Sequence, residues 1–233
     1  ERWIMKTSEV IFSIEWYVKS KNLALKNALA IRCPMSLDTQ EEHRQYYSQY
    51  LSSVLSITEL LCDKATPLRS EFRDKLYSEL GGEHIDGSKY YDYLRELRNS
   101  VVHRGMNLTD SMHIVNDFPL ILAPNPVTNR NGNQVHEAPE KYFLSIIEHV
   151  ETVVPALVIN HIEDSGWHSI FICNEQAQEE SKRKVEQSEA MPDWVKQEAL
   201  RVIPDIDMLD MQKQRMKSAL ENIRTTVALP KIA

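Results

Sequence analysis

Apolar side chains recur at three-, four- and seven-residue intervals over four long stretches of this chain, and three of those stretches contain neither glycine nor proline. That period is one face of an α-helix, so the chain is committed to helices before any other property is considered. The first stripe runs from Ile4 to Ile31 through Ile11, Ile14, Val18, Leu25 and Leu29, and Cys33-Pro34 stops it. Leu37-Asp38-Thr39 supplies a candidate N-cap for the second helix, with Glu41 and Glu42 in the favourable first turn. Tyr47, Leu51, Val54, Thr58 and Leu61 carry this helix to about Cys62, and Pro67 ends the connection that follows. Ser70 to Leu80 reads as a shorter helix closed by Gly81-Gly82, followed by the polar loop Glu83-His84-Ile85-Asp86-Gly87. The next helix spans about Ser88 to Arg104, buries Tyr90, Leu94, Leu97 and Val101, and has Gly105 placed for a left-handed cap.

Between His113 and His136 the helical period disappears and prolines intervene. Asn131-Gly132 is the strongest hairpin signal there, so the spacing predicts an irregular excursion near residues 113–136 with one two-stranded hairpin. Pro139-Glu140 then opens a long helix through Tyr142, Ile146, Val150, Val153 and Leu157 to about Ile162, with a kink expected at Pro155. A polar stretch from Ser169 to Glu189, a short helix opened by Pro192-Asp193-Trp194, and an amphipathic run with Leu209, Met216, Leu220 and Ile223 complete the chain. The expectation is an all-α protein: an up-and-down helical bundle over 1–164 and a helical C-terminal appendage over 165–233, packed on the bundle or on a partner. The boundary falls near Asp164-Ser165-Gly166.

Composition narrows function by exclusion. Only 6 of 233 residues are glycine, under half the usual share of roughly 7%, and no glycine-rich dinucleotide or phosphate-loop motif occurs. With 27 basic and 34 acidic side chains the net charge is −7, which denies the chain a general electrostatic grip on nucleic acid; a polyanion needs a local basic patch. Cys33, Cys62 and Cys173 are widely spaced and odd in number, which predicts reduced, buried thiols in a cytoplasmic protein. No stretch approaches 18 uncharged apolar residues and no leader-like segment opens the sequence, so no membrane association is expected. Neither a metal nor another cofactor is expected: His-Glu-x-x-His is absent, and Glu148-His149 and His161-x-x-Asp164 lack a third ligand. Tyr46, Tyr47 and Tyr50, like Tyr90, Tyr91 and Tyr93, have base-stacking chemistry, but their helical spacing assigns them to packing.

One cluster carries candidate chemistry. At about 100° per residue, Arg98 points roughly 70° from the centre of the Tyr90/Leu94/Leu97/Val101 stripe, Asn99 roughly 170° and His103 roughly 150° on the far side. Asn99 and His103 are one turn apart and can hydrogen-bond, and Val102 beside them puts an apolar side chain on a wet face. His103 and Arg104 occupy the last turn, where the helix dipole favours cations and the imidazolium form. The same residues also have a purely structural reading, in which His103 and Arg104 are ordinary last-turn cations and Arg98 pairs with a glutamate on a neighbouring helix.

Arg98-Asn99-Ser100-Val101-Val102-His103 resembles the R-[polar]-x-x-x-H motif of the HEPN superfamily, whose members are all-helical. The match extends to the apolar frame Tyr93-Leu94 and Leu97 before it and Arg104-Gly105 after it, with compatible helix order over about residues 4–162. The resemblance implies a possible metal-independent endoribonuclease whose composite site forms in a homodimer. His103 would be general acid or base, Arg98 would stabilise phosphate charge, and Asn99 would orient His103 or the phosphate. Arg95 and Arg104, with Lys89, would supply the basic patch for RNA. Cleavage by a neighbouring 2′-hydroxyl needs proton transfer and stabilisation of a pentavalent transition state, both within the means of an imidazole and a guanidinium. An isologous dimer would bring two copies of the motif together. The alternative is a non-catalytic module that binds a nucleotide or a regulatory protein partner.

Overall fold

Helix α1 (Thr7–Ala30) lies along α2 (Leu37–Cys62), and the two interlock through the stripes read from the sequence: Ile11, Ile14, Val18, Leu25 and Leu29 against Tyr47, Leu51, Val54 and Leu61, all buried. The computed structural model describes residues 7–63, 66, 68–82 and 85–230, so the expectations for Ile4, Pro67 and Glu83-His84 lie outside the described residues. The α2 N-cap is Ser36, one residue before the expected Leu37-Asp38-Thr39; its hydroxyl accepts from the Thr39 amide at 3.2 Å. Ser36 keeps an extended backbone while Leu37 is already helical, so the serine hydroxyl is the group placed to reach the third amide of the helix.

Helix α3 (Arg69–Leu80) buries Phe72, Leu76 and Leu80 and runs into α4 (Gly87–Arg104) with the closest backbone approach of the fold's glycines. A Cβ on Gly87 would sit 1.8 Å from the Tyr77 carbonyl oxygen, so only glycine allows α4 to start against the end of α3. Asp86 caps α4, accepting from the Ser88 amide at 2.8 Å, and Gly105 ends it with φ of 71°, the left-handed cap expected there.

The excursion holds two hairpins where one was expected. Strands β1 (Met112–Val115) and β2 (Phe118–Ile121) pair antiparallel across Asn116-Asp117, whose φ values of 49° and 64° are those of a tight two-residue turn. Asn and Asp tolerate that left-handed backbone better than other non-glycine residues, but without a glycine the pair is a weaker turn signal than Asn131-Gly132. Asn131-Gly132 does form a turn, between β3 (Val127–Thr128) and β4 (Val135–His136), within a wider six-residue loop.

Helix α5 (Phe143–Asp164) begins at Phe143 and not at the expected Pro139-Glu140, and it continues past Pro155. It is long and apolar enough by composition to cross a membrane, yet most of its apolar residues are buried in the core shared with α1, α2 and α3. Helices α6 (Asn174–Gln187), α7 (Asp193–Val202) and α8 (Met208–Ile223) follow. Met216, Ala219 and Ile223 of α8 are buried, with α8 lying on α1 and touching α5, whereas no residue of α7 is buried. The result is mostly helical, with eight helices and two small sheets among the described residues.

A buried ionic network crosses the core. Lys21 of α1 donates to Glu151 of α5 at 2.5 Å, and the Tyr50 hydroxyl of α2 donates to the other carboxylate oxygen at 2.9 Å. At the α1–α8 contact Glu15 accepts from Arg215, from Lys19 at 2.7 Å and from Asn222 at 2.8 Å. Burial alone would raise the Glu15 carboxyl, but these three donors outweigh it and hold it at about 2.

Candidate functional site

The outward face of α4 is set by what its inward face touches. Tyr90, Leu94, Leu97 and Val101 are buried, the Tyr91 hydroxyl shares a 2.8 Å hydrogen bond with Thr58 of α2, and the Tyr93 hydroxyl donates to the Pro124 carbonyl at 2.9 Å. With the helix rotation fixed by those anchors, Val102 is left 46% exposed and His103, Arg104 and Arg95 point outward. Arg98 and Asn99 are half-buried.

The arginines of this face are already engaged. Arg98 reaches across to α2, where Nη2 donates to Glu59 Oε1 at 2.6 Å; its Nε is buried and makes no hydrogen bond. Arg104 folds back along α4, donating to the Ser100 hydroxyl and, at 3.1 Å, to the Glu96 carbonyl, with the Glu96 carboxylate 3.5 Å away. Arg95 lies 3.6 Å from Asp92. Asn99 donates to Glu96 at 3.3 Å and not to His103, which makes no hydrogen bond or ion pair among the described residues. Three arginines are thus matched by three carboxylates, and His103 stands apart on the wet side.

Distance along the helix separates the expected patch. At about 1.5 Å per residue, Arg98 is roughly 7 Å and Lys89 roughly 21 Å from His103 along the α4 axis, so Lys89 belongs to the other end of the helix. A residue missed from sequence reaches the His103 end: Arg44 of α2, 3.9 Å from Glu41, donates to the Gly105 carbonyl at 3.0 Å. Nothing in the local sequence marks Arg44, because its partner is 61 residues away.

Other titratable groups belong to the core. His43 is fully buried beside Tyr47, neither ring nitrogen has a partner, and burial lowers its pKa to about 4. His161, expected as at most half of a metal pair, sits edge-on between Phe72 and Trp167, and burial lowers its pKa too. The Tyr47, Tyr50, Tyr90, Tyr91 and Tyr93 rings are buried and Tyr46 is half-buried against the core, in keeping with their helical spacing. The cysteines correct the expectation: Cys33 and Cys62 are only half-buried and Cys173 is exposed, since it precedes α6 in a surface connection. Burial still pushes the Cys62 thiol up to about 11, away from thiolate chemistry.

A groove of about 590 Å³ opens between α1, α6 and α8, lined by Phe12, Phe171, Met208, Met211 and Met216. Its cations are spoken for: Arg215 pairs with Glu15 and stacks on Phe12, and Lys184 lies 3.4 Å from Glu180. Among known proteins, no family model, no characterised sequence and no solved structure matches this chain.

Proposed function

We propose that this chain is a HEPN-like helical protein of up-and-down bundle architecture that pairs two copies through the outward face of α4 and cleaves RNA without a metal. The observation that carries this reading is the His103 side chain: exposed, free of any intramolecular partner among the described residues, next to exposed Val102, in the last turn of α4. An uncommitted imidazole can exchange a proton with a 2′-hydroxyl or a leaving 5′-oxygen, and an apolar neighbour gives a second copy something to bury. Two motifs facing each other would supply an acid and a base, with Arg98 and Arg104 facing the phosphate and Asn99 orienting it. The second reading is a non-catalytic interaction module, and the Arg98–Glu59 pair favours it, because the guanidinium assigned to phosphate is occupied.

The test is incubation of mixed-sequence RNA with the protein in EDTA, alongside His103→Ala and Arg98→Ala. Cleavage by the wild type, lost in both variants at unchanged dimer mass, is the expected result. Intact RNA across a wide concentration range of wild-type protein overturns the enzyme reading in favour of the module.

A further inference from the structure

Resting on the RNA reading above, we infer that Glu59 is an intramolecular competitor for phosphate at Arg98, so that RNA enters this face only as the Arg98–Glu59 pair opens. Three features of the pair set it apart from its neighbours. First, it crosses between helices: Arg95 and Arg104 take their carboxylates from α4 itself, whereas Glu59 comes from α2, 39 residues from Arg98. Second, its exposure is asymmetric. The Arg98 side chain is 19% exposed and Glu59 41%, so the carboxylate can swing into water at little cost while the guanidinium stays anchored by its stem. Third, the guanidinium fork is only partly used. A single Nη2 bond at 2.6 Å holds Glu59 and Nη1 makes no hydrogen bond among the described residues, while Nε is buried out of a ligand's reach. A phosphate, with several oxygens that can meet the fork together, is a better match for it than one carboxylate oxygen.

Charge makes the competition necessary. Asp92, Glu59 and Glu96 cancel Arg95, Arg98 and Arg104, so net charge does not draw a polyanion to this face, and Arg98 meets a phosphate only when Glu59 leaves it. The backbone of Glu59 is fixed, since Ile57, Thr58 and Leu61 around it are buried, and the gate is therefore the Glu59 side chain alone. This makes Glu59 a positioning residue that sets the affinity of the face, not a group that touches the reacting atoms.

The experiment measures binding separately from cleavage. The full chain is titrated against a fluorescently labelled, 2′-O-methylated single-stranded RNA in EDTA, comparing wild type, Glu59→Gln, Asp92→Asn, Arg98→Ala and the Glu59→Gln/Arg98→Ala double variant. Glutamine keeps an oxygen for Arg98 and removes the charge. Glu59→Gln is expected to tighten Kd roughly fivefold, the free-energy equivalent of one half-exposed ion pair. That gain is expected to vanish in the Arg98→Ala background and to be absent in Asp92→Asn. Unchanged or weaker binding by Glu59→Gln, with wild type binding and Arg98→Ala impaired, overturns the competitor role and leaves the RNA reading standing. An equal gain in Asp92→Asn, or a gain that survives in the Arg98→Ala background, also overturns it, since general charge reduction would then suffice. Absence of RNA binding in wild type and Glu59→Gln alike overturns the RNA reading itself and this inference with it.

Discussion

Two cation–carboxylate pairs in this protein use nearly the same chemistry to opposite ends. Lys21 and Glu151 are 3% and 6% exposed, and the carboxylate's second oxygen is taken by Tyr50; Arg98 and Glu59 are 19% and 41% exposed, and only Nη2 of the guanidinium has a partner among the described residues. Burial decides what each pair is for. Inside the core, water cannot replace a lost partner, so the Lys21 network fixes how α1, α2 and α5 meet and cannot open without unfolding. Burial also lowers the Lys21 pKa, and the nearby Glu151 charge works against that shift. At the α2–α4 surface, water can take either partner, so the Arg98 pair can exchange its carboxylate for another anion.

The largest expected effect breaks the core pair. Lys21→Met or Glu151→Leu alone should cost about 3–5 kcal/mol, because each leaves a buried charge uncompensated. The triple change Lys21→Met/Glu151→Leu/Tyr50→Phe should recover most of that loss by removing both buried charges and the Tyr50 hydroxyl together, leaving only Asn22, a half-buried partner of Lys21 at 2.8 Å. Urea unfolding midpoints measure both, and a single-variant cost under about 1 kcal/mol would place this pair with the surface one.

A middle-sized effect comes from a buried group with no counter-charge at all. His43 has its folded pKa lowered to about 4 from an ordinary 6.5, so its protonation favours the unfolded chain. Stability should therefore be level above pH 6.5 and fall as pH drops towards 4, by up to roughly 3 kcal/mol from this residue, with His161 acting in the same direction. Glu15 adds its own loss only below pH 4.5, as its carboxylate protonates on the way to about 2. His43→Leu should flatten the limb between pH 6.5 and 4.5 in thermal melts, and an unchanged limb would mean that the ring is not shielded from water.

The smallest effect tests the surface pair. Glu59→Gln should change stability by no more than about 1 kcal/mol, and added salt should shrink the difference further. A loss of several kcal/mol in the same urea measurement would make the Arg98 pair a core element like Lys21–Glu151 and remove its freedom to exchange.

Most helices were legible because each announces itself within its own stretch of sequence. The α1 and α2 stripes, the α4 buried face and the Gly105 cap follow from rotation about a single axis, and the apolar residues assigned to those stripes within the three helices are buried, whereas Ile31, just past the end of α1, is half-buried. Errors gathered where a signal was short or depended on a neighbour. The β1–β2 turn rests on two residues whose left-handed backbone is only a preference, and the Ser36 cap differs from its rivals by one position. Exposure of Cys173 follows from α6 lying on the surface, which residue type does not reveal. At the candidate site, the outward direction of Val102 and His103 was readable from the α4 period, whereas the Asn99 hydrogen bond went to Glu96 although His103 was equally well spaced.

Residue order alone dictates that this chain is helical, where its helices lie to within a few residues, and which face of α4 is turned away from its apolar stripe. Even the pairing of Arg98 with a glutamate from another helix was one of the alternatives it left open. Packing in three dimensions selected Glu59 as that glutamate, brought Lys21 to Glu151 across 130 residues, and clamped α8 to α1 through Glu15 and Arg215. The reason is geometric: periodicity fixes directions around one helix axis, but an ion pair between helices depends on the distance, angle and register of two axes, which the packing of the whole core sets.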